Sequence, residues 1–131
     1  MPPSQHAFTK QERVCSKKVV DRLFNDRKSK SMAAYPVRAV FLDIQAEEDA
    51  PPIQILISVP KRYHKRAVAR NRVKRQVREA YRRNKAILAE ALRARQRHMV
   101  VALTWIADEL CTSSRVERRV KDLLLRISES L

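Results

Sequence analysis

Between Lys61 and Lys85 the chain reads KRYHKRAVARNRVKRQVREAYRRNK, a run in which Glu79 is the single acid. Arg70, Arg72, Lys74, Arg75 and Arg78 form its densest part, with Asn71 among them and Lys61 and Arg62 just ahead. Guanidinium groups offer paired N–H donors and ammonium groups offer compact point charges, and both suit phosphate oxygens. Asn71 can reach a backbone or a base edge, or cap a local turn. The chemistry this set can do is to hold a polyanion in place.

Bond cleavage by protein groups would need carboxylates or histidines gathered around a metal or a proton path. His6, His64 and His98 are scattered and follow no metal-ligand spacing. His64 stands among cations, where it either touches phosphate or is an ordinary exposed histidine. The acids Glu47, Glu48 and Asp49 sit in a proline-flanked stretch, and Asp108 and Glu109 follow an apolar run, so both groups read as solvated charge. Cys15 and Cys111 are far apart with no C-x-x-C spacing, which fits reduced thiols in a cytoplasmic protein. No catalytic residue, metal site or protein-bound cofactor is expected.

The elements that position the cations come next. Val73, Val77, Ala80 and Tyr81 recur at helical spacing within the basic run. At roughly 100° per residue, Lys74, Arg75, Arg78 and Arg82 share a flank beside that apolar stripe. A helix with one face in a core would display these charges rigidly. The rest of the chain supports this reading. Val19, Val20, Leu23 and Phe24 predict a short helix, capped by Ser16 and ending near Asn25. Asp26 to Ser31 reads as loop or ragged strand. Val37 to Ile44 and Ile53 to Val59 read as strands paired with each other, joined by the acidic loop Ala46 to Pro52, which should point away from the polyanion. Lys85 to Arg95 reads as a second helical piece or a continuation, and His98 to Trp105 as a buried strand. Ser114 and Glu117 form an S-x-x-E capping box ahead of a last helix carrying Val116, Val120, Leu124 and Ile127. The order αβββαβα predicts an α/β (α+β) sandwich, a small mixed sheet packed by helices.

A length of 131 residues suits one domain, with residues 1–7 loose at its start. The formal net charge of +15 and pI near 10.7 imply a polyanionic partner, and nucleic acid fits better than an anionic membrane surface. The apolar run from Met99 to Ala107 is too short to span a bilayer, and MPPSQHAFTK lacks the pattern of a secretory signal. Glycine is absent, so any positive φ should fall on Asn25, Asn71 or Asn84.

The block from Ser58 to Arg82 resembles the protein subunit of bacterial ribonuclease P. Ser58-Val59-Pro60-Lys61-Arg62 and Arg70-Asn71-Arg72-Val73-Lys74-Arg75, completed by Arg78, match both halves of that family's signature. Phe8, Lys10, Glu12 and Arg13 resemble its F-x-K-x-E-R opening. Leu56 stands where many members have glycine, and Val20 where many carry the first of two aromatics a turn apart. The resemblance implies a left-handed β-α-β crossover holding the R-N-R helix, against the usual right-handed preference. It implies that Lys61, Arg62 and the Arg70–Arg78 set face the catalytic RNA. A cleft would receive the single-stranded 5′ leader of precursor tRNA. Val20, Phe24, Phe41 and Arg13 are its candidate lining, the two Phe either stacking on bases or packing in the core. It further implies that the RNA subunit holds the Mg2+ and carries the chemistry, with no obligate protein partner and no membrane. Charge alone would also fit a non-enzymatic RNA binder of ribosomal type. A helix-turn-helix DNA regulator fits less well, because this helix is saturated with Lys and Arg where a recognition helix carries mixed polar residues.

Overall fold

The computed structural model describes Arg13 and residues 17–131. Eight elements follow one another: α1 (Lys17–Asn25), β1 (Lys30–Ala34), β2 (Val37–Ile44), β3 (Ile53–Ser58), α2 (Ala67–Asn84), α3 (Ala86–Ala94), β4 (His98–Trp105) and α4 (Ser113–Glu129). The four strands form one sheet in the order β1-β2-β4-β3. β4 runs antiparallel to β2 and parallel to β3, so α2 and α3 make up a β-α-β crossover. Expectations for residues 1–7, the Ser16 cap, Cys15, His6, Phe8, Lys10 and Glu12 lie outside the described residues.

The pairing of β2 with β3 expected from the sequence does not form, because β4 lies between them. The physical reason is burial. Met99, Val100, Val101, Ala102 and Leu103 are apolar in succession and all buried, which only a central strand covered on both faces can achieve. β2 and β3 flank it. β1 is a full edge strand extending the loop-or-strand stretch seen in the sequence, and it pairs with β2 from Lys30↔Phe41 to Ala34↔Val37. Asp26 starts the turn into it, accepting from the Lys28 amide through Oδ1 at 2.8 Å.

The sheet divides the protein into three layers. On one face Val37, Ala39, Phe41, Ile55, Val101, Leu103 and Trp105 pack against Val73, Val77 and Tyr81 of α2, Leu88 and Leu92 of α3, and Val116, Val120, Leu124 and Ile127 of α4. On the other, Leu42, Val100 and Ala102 pack against Leu23 of α1, with Val19, Val40, Ile44 and Leu56 at the margins. Area removed from water at about 25 cal/mol per Å2 makes the first, larger cluster the main source of stability.

Three local details differ from the sequence reading. α4 begins at Ser113, capped by Thr112, whose Oγ1 accepts from the Arg115 amide at 3.2 Å. The Ser114–Glu117 box does not form because Glu117 faces α2, where it meets Arg83 at 3.6 Å and Asn84 Nδ2 at 3.5 Å. Asn84 stays helical and donates back to the Ala80 carbonyl, so α2 passes into α3 through Lys85 in right-handed conformation. Positive φ falls instead on Gln96, at 53°. Amides of Gln96 and Arg97 close onto the carbonyls of Arg93 and Leu92 there, ending α3 just before β4. A side chain with a Cβ costs about 1–2 kcal/mol in this conformation. Gln96→Gly is therefore expected to raise the thermal midpoint by several degrees, as about 1 kcal/mol does for a domain of this size; an unchanged or lower midpoint in a calorimetric scan would count against the strain.

Candidate nucleic-acid interface

α2 is anchored by Val73, Val77, Ala80 and Tyr81, all buried, and tied sideways by Gln76, whose Nε2 donates to the Cys111 carbonyl (3.0 Å) and Ser113 Oγ (3.1 Å). The buried stripe leaves the remaining circumference to cations. Arg72, Arg75 and Arg78 are exposed and Lys74 is half-buried. None of the four makes a hydrogen bond or ion pair among the described residues. Other cations of the helix are engaged. Arg82 holds Glu79 through two hydrogen bonds of 2.9 and 2.5 Å, which pull the Glu79 carboxyl below the usual carboxylate range. Arg83 meets Glu117 across to α4. The free cations of α2 thus lie within the motif, and the ion-paired ones lie beyond it.

Arg70 has a second task. Its Nη1 donates to the carbonyls of His64 (3.0 Å) and Lys65 (2.6 Å), fastening the turn that joins β3 to α2. The Arg62 guanidinium lies 4.9 Å from the centre of the Tyr63 ring in the same turn, and Lys61 is exposed beside it. Asn71 is exposed on the outer side of α2, away from any turn it could cap. The helix start itself favours anions: Arg66 at its N-cap has no side-chain cap and the first turn has no acid. Its open N–H groups and the positive dipole end add to the positive charge of the arginines. Glu47, Glu48 and Asp49 stand at the opposite end of the sheet, after β2 and before β3.

The cleft residues separate. Phe41 is 3% exposed and belongs to the core beneath α2 and α4, so its ring is closed to a ligand. Register decides this, since a one-residue step along a strand changes face. The neighbours Arg38 and Val40 take the α1 face instead, and sequence reasoning missed them because β2 is apolar on both faces. Phe24 is 52% exposed on α1, and Val20, a turn earlier, is half-buried. Beside α1 this face has Val40 and Leu56, both half-buried, flanking the fully buried Ala102 in one cross-strand row and Arg38, Thr104 and Ser58 in the next. Ser58 leads directly into the Lys61–Arg66 turn, so this face and the start of the basic helix are joined at one end of the sheet. Arg13 bridges Ile55 in parallel at the outer edge of β3, with its side chain exposed.

Among the described residues no three His, Cys, Asp or Glu side chains gather to share a metal ion, and no helix is long and apolar enough to cross a membrane.

The ribonuclease P family profile matches residues 8–128. The chain is 37% identical over 126 residues to the ribonuclease P protein component of Porphyromonas gingivalis, covering 96% of this chain and 90% of the relative. Among solved structures it resembles a Staphylococcus aureus RNase P protein mutant with defective mRNA degradation activity (TM-score 0.68, 19% identity, 92% and 90% of the two chains). It also resembles the RNase P protein from Thermotoga maritima (TM-score 0.68, 21% identity, 88% and 96%). These two likenesses bear on the fold: a four-stranded open sheet packed by helices.

Proposed function

The chain belongs to the ribonuclease P protein family, and from that premise we propose that it binds the catalytic RNA through α2 and the 5′ leader of precursor tRNA in the groove beside α1. The observation that carries this is the set of unpaired cations, Arg72, Lys74, Arg75 and Arg78, on a helix whose other face is locked into the core. As part of an endoribonuclease the protein need not break bonds itself. Its share is to bring two RNAs together and lower their mutual repulsion.

Each group then has a task. The α2 cations take phosphates of the RNA subunit, with Lys61, Arg62 and the open helix start extending that contact. Arg70 keeps the turn in shape, so that Lys61 and Arg62 are held at the mouth of the groove. Phe24 offers a ring to an unpaired base, and the half-buried Val20, Val40 and Leu56 form an apolar bed beside it. Arg13, at the edge of β3, is placed to meet the leader backbone. On this reading the Mg2+ that activates water for hydrolysis is held by the RNA.

The test combines purified protein, a bacterial ribonuclease P RNA and end-labelled precursor tRNA at low magnesium. Stimulated release of the leader is expected with protein and RNA together, and no cleavage with protein alone. Phe24→Ala is expected to weaken precursor tRNA about tenfold while sparing mature tRNA, since a stacked base contributes about 1–3 kcal/mol. Absence of stimulation with a correctly folded cognate RNA would refute the reading. Equal weakening of precursor and mature tRNA would remove Phe24 from the leader site.

A further inference from the structure

α4 lies along α2 on the outer side of the sheet. Ser113 and Glu117 mark its α2-facing flank, through their contacts with Gln76, Arg83 and Asn84. One turn further along that flank stands Lys121. Arg118 points outward, opposite the buried stripe of Val116, Val120, Leu123, Leu124 and Ile127, as roughly 100° per residue requires. Both are exposed, and neither makes an ion pair or hydrogen bond among the described residues. Acids that could neutralise them are occupied: Glu117 with Arg83, and Asp122 with Arg126 at 3.7 Å. Arg119 is exposed too but lies on the other flank, shared with Arg115 and Arg126, which reach Glu109 and the Ala33 carbonyl beside β1.

Resting on the function proposed above, we infer that Arg118 and Lys121 form a second phosphate-binding row, and that α4 and α2 together grip a double-stranded segment of the RNA subunit. Arg72 and Arg75 supply the row on α2. Packed helices lie about 8–10 Å apart axis to axis, so the two rows are separate lines of charge, one for each backbone. Paired RNA presents both backbones across a wide, shallow minor groove. Among the described residues neither helix presents a free ring for stacking, which surfaces for unpaired strands combine with charge: Tyr81 of α2 is buried, α4 has no aromatic, and the nearby rings of Tyr35 and Tyr63 lie under Arg115, on the other flank of α4, and Arg62. The ring of Phe24, exposed and under no cation among the described residues, belongs to α1, across the sheet. One side of the protein is thus suited to paired RNA and the other to an unpaired strand.

Filter binding to ribonuclease P RNA across a potassium chloride series tests this with three proteins: the native chain, Arg118→Ala/Lys121→Ala and Arg119→Ala. Alanine favours helix, so these exposed changes leave the fold in place, as near-ultraviolet circular dichroism of the buried Trp105 can verify. The double variant is expected to lower the log–log salt slope by about one to two, with Arg119→Ala at the native value. A plain RNA duplex should compete better than a single strand of equal length for the native protein, and the double variant should lose that preference. A native slope in the double variant, with native assembly intact, would overturn the α4 surface alone. A slope lowered as much by Arg119→Ala would reduce the effect to bulk charge and overturn it too. Failure of the native protein to assemble would overturn the function on which it rests, and the α4 surface with it.

Discussion

Val77→Asp is expected to abolish RNA binding while leaving every cation of α2 in the sequence. Val77 is 1% exposed in the layer where α2 meets the sheet and α4. A carboxylate there has no partner in an apolar cluster and costs several kcal/mol in desolvation, or else holds its proton at similar expense. Domains have a total stability of about 5–15 kcal/mol, so one such change takes a large share of it. Thermal unfolding followed by circular dichroism should lose its cooperative transition or shift far down. The near-ultraviolet signal of Trp105, packed in the same core, should collapse with it. Net charge falls by only one unit. Binding that survived this change would mean that the basic run acts as a flexible tail, contrary to its anchored geometry.

Arg72→Ala/Arg75→Ala/Arg78→Ala should have the opposite signature, full stability with lost affinity. These side chains are exposed and unpartnered among the described residues, so their removal is expected to move stability by no more than about 0.5 kcal/mol. Hydrogen bonds to charged groups contribute about 1.5–3 kcal/mol each. Three of them make a loss of roughly a thousandfold or more in affinity for the RNA subunit, with a salt slope lower by about three. Arg82→Ala is the contrast, because Arg82 already pairs with Glu79. It should change assembly far less, and through the release of the Glu79 charge. A triple variant no weaker than Arg82→Ala would show that the motif arginines do not meet phosphate.

The basic helix was readable because two periodic signals coincided in one stretch: an apolar stripe at Val73, Val77, Ala80 and Tyr81, and a motif spaced by the same turns. The tertiary structure sorted its cations. Arg82 and Arg83 continue the charge of Arg75 and Arg78 beyond the motif, and Glu79 and Glu117 neutralise them, Glu117 from another helix. Arg70 likewise reads as one more phosphate ligand until the turn carbonyls it holds are in place. Position in the chain cannot reveal a partner that folding brings from elsewhere.

Strands were located well and paired badly. β2, β3 and β4 start within their apolar runs because residue type and turn residues act locally. Which strand lies in the middle depends on burial from both faces, and the clue was the unbroken apolar run of β4. Phe41 went to the core for a related reason. β2 carries apolar residues on both faces, so its composition leaves the register open, and only pairing with β4 and β1 assigns the odd positions to the helices. Gln96 has the positive φ because α3 must stop there for β4 to begin, a constraint set by the sheet.

By itself, then, the amino-acid sequence determined the charge, the helix that carries it, the family to which the Ser58–Arg82 motif points, and most element boundaries, all of which depend on neighbours within a few turns. Strand order, the face each side chain takes and the division of arginines into free and paired were decided only in the tertiary structure. Those properties depend on contacts between residues far apart in the chain, where burial and charge pairing select one arrangement from several that the local pattern permits.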